Sequence, residues 1–394
     1  MPQHNTLYPE YMKDFQCIAD KCEDTCCAGW TVTIDKPTYK QYKRKQKQSK
    51  EQRSFFQGKI DLNSNSKSSL DFGLMRMDEQ GKCKFLNNEN LCSIVLEYGP
   101  DELCQTCKVF PRSFSVYKKN EHQEMSLSTA CPEATRKIID FNKKMTFSFE
   151  LSEKFNSYSF IQGIQMNEKF YAFEIRFTVI KILQSDLYTL NEKIALIGLL
   201  CKKINEEENL HFIPEILNSF EELLTEKVNI NHLEYGSYFS YELIDFITKT
   251  KRTSNKMFNG LVQSAVENVL KDNKLYKEKL NKFDEFETEI QKIFPYALEN
   301  YLVNYVFKNN FPFKNDSVVN NLILLNIHFL FIKMMAINEI NIEYDTKEEI
   351  YVKLTNVIYS TGRALEHDAY YFDAMLNELK ENNHYSIAHA LNIM

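Results

Sequence analysis

The chain has 394 residues, 43% of them hydrophobic, enough for about two or three domains and a sizeable core. Gly (10) and Pro (9) are scarce, and because helix interiors tolerate neither, the composition predicts a mainly α protein. Net charge is −6, with 21 Lys+Arg against 19 Asp+Glu over residues 1–140 and 27 against 35 after them, so no half is basic enough to make nucleic acid the partner.

The opening MPQHNTLYPEYMKDF has no apolar core and no cleavage signal. The most apolar stretch, Val318 to Ile337, is interrupted by Asn320, Asn321, Asn326, His328 and Lys333, which argues against a transmembrane segment. A cytoplasmic protein is expected. Thiols stay reduced there, so a dense cysteine cluster points to metal binding or catalysis rather than to disulfides. Nine of the ten cysteines precede residue 132. This step divides the chain into a cysteine-rich, metal-binding domain over 1–140 and a helical domain over 141–394, divisible into two sub-bundles. The expected fold is thus mainly α, with short strands and loops around the cysteines and an all-helical body after them.

In chain order, short strands are expected at Trp30–Ile34 and Glu124–Ser128. Residues 40–69 form a polar insertion whose first half, KQYKRKQKQSK, reads as a basic solvated helix and whose second half, DLNSNSKSS, reads as loop. Phe170, Phe173, Phe177 and Ile180 recur at three or four residues and predict a helix. NEKIALIGLLCKKI predicts another, with Cys201 as a core thiol among Leu199, Leu200 and Ile204. Further helices are expected near 213–227, 238–250, 257–272, 275–293, 297–308, 317–338, 346–366 and 368–380.

The cysteines run Cys17-x4-Cys22-x3-Cys26-Cys27, then Cys83, Cys92, Cys104-x2-Cys107 and Cys131. Thiolates are soft ligands suited to zinc or iron–sulfur clusters. Neighbouring Cα atoms lie about 3.8 Å apart, too close for Cys26 and Cys27 to pair comfortably as a disulfide. In extended chain they point to opposite sides, so each can face a different centre. One zinc or one four-iron cluster takes about four thiolates, so the set exceeds one centre: there are two centres, or some thiols pack or do chemistry. The spacing is neither Cys-x3-Cys-x2-Cys nor a two-pair zinc ribbon, and no Gly-rich dinucleotide or P-loop signature occurs.

The runs DFQCIADKCEDTCCAGWTVTIDKPTY, CKFLNNENLCSIVLEYG, CQTCKVFPR and SLSTACPEATRK resemble the flagellin lysine-N-methylase family. Their shorter elements Cys-Cys, C-x-F-L, L-C-x-I and C-x2-F-P-R also resemble small cysteine-cluster proteins described as zinc- or iron-chelating. IQGIQMNEKFYAFEIRFTVIKILQ, LENYLVNYVFKNNFPF and YSTGRALEHDAYYFDAML are similar to the family's helical remainder. The resemblance implies methyl transfer from S-adenosylmethionine to surface lysine ε-amines of flagellin or another protein. It also implies an iron–sulfur cluster of the 4Fe-4S type, with zinc as the alternative. The ligand set it implies is Cys17, Cys22, Cys26, Cys27, Cys83, Cys92, Cys107 and Cys131, which leaves out Cys104.

Several other residues stand out. Trp30, the only tryptophan, can shield the cluster or stack on the methyl donor. Arg112 can pair with a carboxylate or with a negatively charged cluster. Glu299, Asn300 and Tyr301 can line a groove or simply cap and pack their helix, and Tyr301 joins Trp30 and Arg112 as a candidate cofactor contact. Glu366 and His367, followed by Asp368, are candidates for accepting the lysine proton, against an ordinary hydrogen-bond network between helices. A non-catalytic zinc- or iron-binding interaction or maturation protein, and a thiol redox sensor, are the alternative readings.

Overall fold

The computed structural model describes residues 3–117, 122–153, 159–160, 171–229, 255–268, 274–275, 278–279, 282–313, 317–366 and 369–391. Its strands are β1 (Gln3–Pro9), β2 (Thr33–Ile34), β3 (Ile60–Leu62), β4 (Gly73–Met75), β5 (Arg112–Tyr117), β6 (His122–Leu127), β7 (Phe147–Glu153) and β8 (Ser159–Phe160). They form a five-stranded mixed sheet, ordered β7-β1-β6-β5-β8, and a small antiparallel sheet, β2-β4-β3. In the larger sheet β1 runs parallel to β6 with Asn5 opposite His122, and antiparallel to β7 with Leu7 opposite Phe149.

Helices dominate as expected. They include Ala172–Leu183, Leu190–Glu206, Ile213–Glu222, Lys256–Asn268, Phe283–Ile293, Ala297–Lys308, Val318–Glu339, Lys347–Leu365 and Ala369–Glu381. The helix expected near 238–250 lies outside the described residues. The basic insertion folds as two short helices, Lys36–Lys45 and Lys50–Phe56, capped by the Asp35 and Ser49 side chains. Two T-x-x-E sequences become full capping boxes, Thr189 with Glu192 and Thr346 with Glu349.

The body after residue 140 is not all-helical, which corrects the expectation. Phe147, Phe149 and Leu151 alternate with polar residues in β7, a period of two rather than 3.6. This strand closes the sheet begun at the N-terminus. Phe147 turns inward against Phe307, with ring centroids 4.8 Å apart.

Two apolar cores result. The large one runs from Leu7 to Leu391 and joins the sheet to the helices. At its centre lies Val318–Glu339, long and apolar enough to cross a membrane by composition, but with 83% of its most apolar window buried in the fold. A helix apolar all round belongs inside a protein of this size. Cys201 is fully buried in this core, as its neighbours predicted. The small core packs Tyr42, Phe56 and Phe85 together with Val32, Ile34, Ile60, Met75 and several cysteines. Tyr42 stacks on Phe56 at 4.9 Å, and the Tyr42 hydroxyl donates to the Glu102 carbonyl at 2.6 Å.

Charged groups are buried in the large core, each with partners. Arg176 donates to both Glu124 oxygens and, at 2.8 Å, to Asn310, which in turn donates to Ser115. Lys193 meets Glu299 at 3.0 Å, while Asn300 donates to the Phe141 and Lys143 carbonyls, so these two residues tie their helix to its surroundings. Lys333 lies over the Phe283 ring and donates to Asn191, whose amide donates to Asp284. Beside it the Leu190 amide donates to Glu287 at 3.3 Å.

Burial lifts the Glu287 carboxyl from 4.5 to about 7. A carboxyl whose folded pKa is raised stabilises fully below its unfolded pKa, and that stability is lost as pH rises through the folded pKa. Glu287→Gln should therefore gain stability relative to wild type as pH rises from 4.5 to about 7, the window set by this shift. Urea unfolding of both proteins across that range checks it; a constant difference in midpoint would count against the assignment.

Candidate functional site

The cysteines separate between the two cores. Cys83 and Cys104 are buried in the small core, and Cys27, Cys92 and Cys107 pack against it, whereas Cys131 packs against the large core. Backbone pairing creates the first group. The Cys83 amide donates to the Cys27 carbonyl at 2.7 Å, and isolated bridges pair Met77 with Cys83 and Leu86 with Cys92. Cys104 caps the short Gln105–Val109 helix that carries Cys107, and Asp35 accepts from the Gln105 amide at 2.9 Å. Cys104, absent from the set implied by resemblance, is thus a full neighbour of Cys27, Cys83, Cys92 and Cys107.

Cys22 lies toward Cys131, Cys26 stands between the two groups, close enough to raise the pKa of both Cys131 and Cys92, and Cys17 is exposed. Adjacent Cys26 and Cys27 are not splayed to opposite sides, as an extended chain would place them. Their thiols hydrogen-bond each other, which holds Cys26 down and, with burial, pushes Cys27 up. Burial raises Cys83 to about 11 and Cys131 to about 12.

As they stand, no three Cys, His, Asp or Glu side chains among the described residues converge in the arrangement of a metal site. The donor chemistry nevertheless fits a thiolate-ligated metal or iron–sulfur centre, since the small core gathers soft donors in apolar surroundings. Cys27, Cys83, Cys92, Cys104 and Cys107 are the residues that would hold such a centre.

The other candidates fall in different places. Trp30 donates from Nε1 to the Cys26 carbonyl at 2.8 Å, lies 5.5 Å from the Phe110 ring and packs against the small core. The Arg112 guanidinium sits 5.1 Å from the Phe15 ring, a cation–π contact. Tyr301 is buried in the large core beside Tyr305, so it does not join Trp30. His367 and Asp368 lie outside the described residues.

Glu366 is the centre of a polar hub. Lys308 donates to it at 2.7 Å, Ser128 at 2.8 Å and Thr129 at 3.0 Å. The Lys308 and Glu366 side chains are 6% and 5% exposed. Burial, reinforced by the Glu366 charge, raises the Tyr11, Tyr301 and Tyr305 hydroxyls. Tyr11 donates to Asn304 and accepts from the Leu127 amide at 3.2 Å, while the Asn304 amide donates to the Leu127 carbonyl at 3.1 Å. This ring fixes the end of β6 just before Ser128.

Three further residues complete the seam between helices and cysteines. Gly362 lies so close to the Ser128–Cys131 turn that an added Cβ would stand 2.6 Å from Thr129 Oγ1 and 3.0 Å from the Thr129 carbonyl carbon. Arg363 bonds to Asp24 and donates to the Thr25 carbonyl at 2.6 Å. From the other side Arg136 grips Glu23 at 2.6 Å. Sequence reading missed Lys308, Gly362, Arg363 and Asp24. Gly362 and Arg363 lie in the segment GRALEH and Asp24 beside Cys26, but nothing local marked any of the four, because their partners are remote in the chain.

Breaking a buried ion pair leaves an uncompensated charge and costs about 3–5 kcal/mol. Lys308→Met should destabilise by that order in urea unfolding, and adding Glu366→Gln should recover most of the loss. A double variant as weak as the single one would show that the pair is not the source of the effect.

The family model for the FliB lysine N-methylase C-terminal domain matches residues 176–393, more than half of the chain. Flagellar biosynthetic protein FliU of Salmonella muenchen is 32% identical over 173 residues, which are 44% of this chain and 98% of that protein. Lysine-N-methylases of Salmonella choleraesuis and Salmonella typhimurium are each 33% identical over 149 residues, 38% of this chain. The aligned part spans only 36% of the length of either lysine-N-methylase. No solved structure matches the chain. The matched model covers the helical body, Arg363 and Glu366 included, while the cysteine motifs lie before it, and on that match the chain belongs to the FliB lysine N-methylase family.

Proposed function

We propose that this protein is a protein-lysine N-methyltransferase that takes its methyl group from S-adenosylmethionine and acts on surface lysines of flagellin, in the cytoplasm. The family match over residues 176–393 carries this reading, and the lysine-N-methylases among its relatives and the flagellar relative support it. The lysine nitrogen attacks the sulfonium methyl carbon as the carbon–sulfur bond breaks, leaving methyl-lysine and S-adenosylhomocysteine. The attacking amine must be neutral, although a free lysine has a pKa of about 10.4, so a proton has to leave it first. Glu366, the candidate acceptor, already accepts from Lys308, Ser128 and Thr129.

The thiols of the small core would hold an iron–sulfur cluster, with zinc as the alternative occupant. When bound, such a centre supplies redox or Lewis-acid chemistry. The chain's own part is to exclude water around the thiols with Trp30, Phe85 and Phe56 and to keep their spacing.

Protein purified without oxygen should carry iron, about four atoms per chain for a cubane cluster. It should transfer labelled methyl from S-adenosylmethionine to purified flagellin, and Cys27→Ser should lose metal and transfer together. Stoichiometric zinc with no transfer would replace this reading with a metal-stabilised interaction module. Reversible disulfides without bound metal would instead favour a redox sensor.

A further inference from the structure

The cysteine loops belong to the first third of the chain, yet the contacts that hold two of them come from the last turn of Lys347–Leu365. We propose that Arg363 is a positioning residue for the thiol site, fixing the turn that sets Cys26 and Cys27 in place. The inference rests on the thiol-centre reading above only in its metal-binding arm.

The Arg363 side chain is 4% exposed, while its partner Asp24 is 28% exposed. A guanidinium keeps its charge even when buried, so it requires counter-groups at that spot. Asp24 and the Thr25 carbonyl are those groups. Their positions propagate directly. Asp24 accepts from the Thr25 amide at 2.8 Å, Thr25 Oγ1 accepts from the Cys27 amide at 3.1 Å, and the Cys27 carbonyl accepts from the Cys83 amide. One buried cation thus sets a chain of bonds that ends in the small core.

The same helix turn also fixes the second loop. Gly362 packs on Thr129 and Ala130, and Glu366 accepts from Ser128 and Thr129, immediately before Cys131. Cys131 then caps the helix whose Arg136 holds Glu23. Two cysteine loops far apart in sequence are thereby referred to one rigid element of the body. If Arg363 is lost, Asp24 can turn to water, so the loop is released while the body keeps its own core.

The experiment compares wild type, Arg363→Gln, Arg363→Lys and Asp24→Asn as full-length chains. Amide hydrogen exchange is followed over residues 22–30 and, as reference, over Leu190–Glu206. Zinc and ferrous iron affinities are measured by chelator competition. Loss of an outer contact of this kind typically weakens metal binding roughly ten-fold or more. We expect Arg363→Gln to do so and to speed exchange at 22–30 while leaving the reference helix unchanged. Arg363→Lys should recover part of both effects, since it keeps the charge but not the fork. Asp24→Asn should act in the same direction from the loop side. Unchanged exchange at 22–30 in Arg363→Gln, or acceleration of the reference helix to the same degree, overturns the proposal. A wild-type chain that binds neither metal overturns the thiol-centre reading instead, and the exchange comparison then decides the role of Arg363.

Discussion

A buried cation must have its counter-charge within reach, and this requirement holds the two parts of the molecule in register. Arg363 is answered by Asp24, Lys308 by Glu366, and Arg176 by Glu124. Arg363 and Arg176 reach from the helical body into the first third of the chain, and Glu366 reaches the same region through Ser128 and Thr129. Desolvation makes such pairs weak sources of net stability but severe penalties for wrong arrangements. Their effect is to allow one docking of the sheet and cysteine loops on the helices.

That docking also positions the thiols, which come from loops and short helix starts. Cys27, Cys83, Cys92, Cys104 and Cys107 share a small core whose apolar mass comes from Tyr42, Phe56, Phe85 and their neighbours. Closing such loops costs entropy that grows only slowly with length, so widely spaced cysteines can still be gathered. The small core supplies the surroundings, and the seam at Gly362, Arg363 and Glu366 orients the loops that carry Cys26, Cys27 and Cys131. The family match falls on the body and the cysteine motifs fall outside it, yet the bonds from Arg363 and Glu366 join the two.

The helical body was largely legible from long apolar segments free of proline, some with one apolar face and Val318–Glu339 apolar all round. The expected segments at 297–308, 317–338 and 346–366 correspond to Ala297–Lys308, Val318–Glu339 and Lys347–Leu365. Short strands around the cysteines were legible too, through β-branched residues at Thr33–Ile34. The strand Phe147–Glu153 was not read from its short apolar–polar alternation, because its partner, Gln3–Pro9, lies at the other end of the region. Glu366 stood out as a polar residue beside apolar turns. Nothing local distinguished a proton acceptor from the centre of a hydrogen-bond hub.

By itself the sequence determined the helical class, the clustering of the cysteines and the family, because periodicity, composition and motif spacing are local properties of the chain. Only the tertiary structure decided that the Cys26 and Cys27 thiols bond each other, that Cys104 joins the thiols of the small core and that Arg363 holds the cysteine turn. Arg363 and Asp24 are 339 residues apart. No local pattern encodes such a pairing; it follows from the cost of burying a charge alone once the helices have packed.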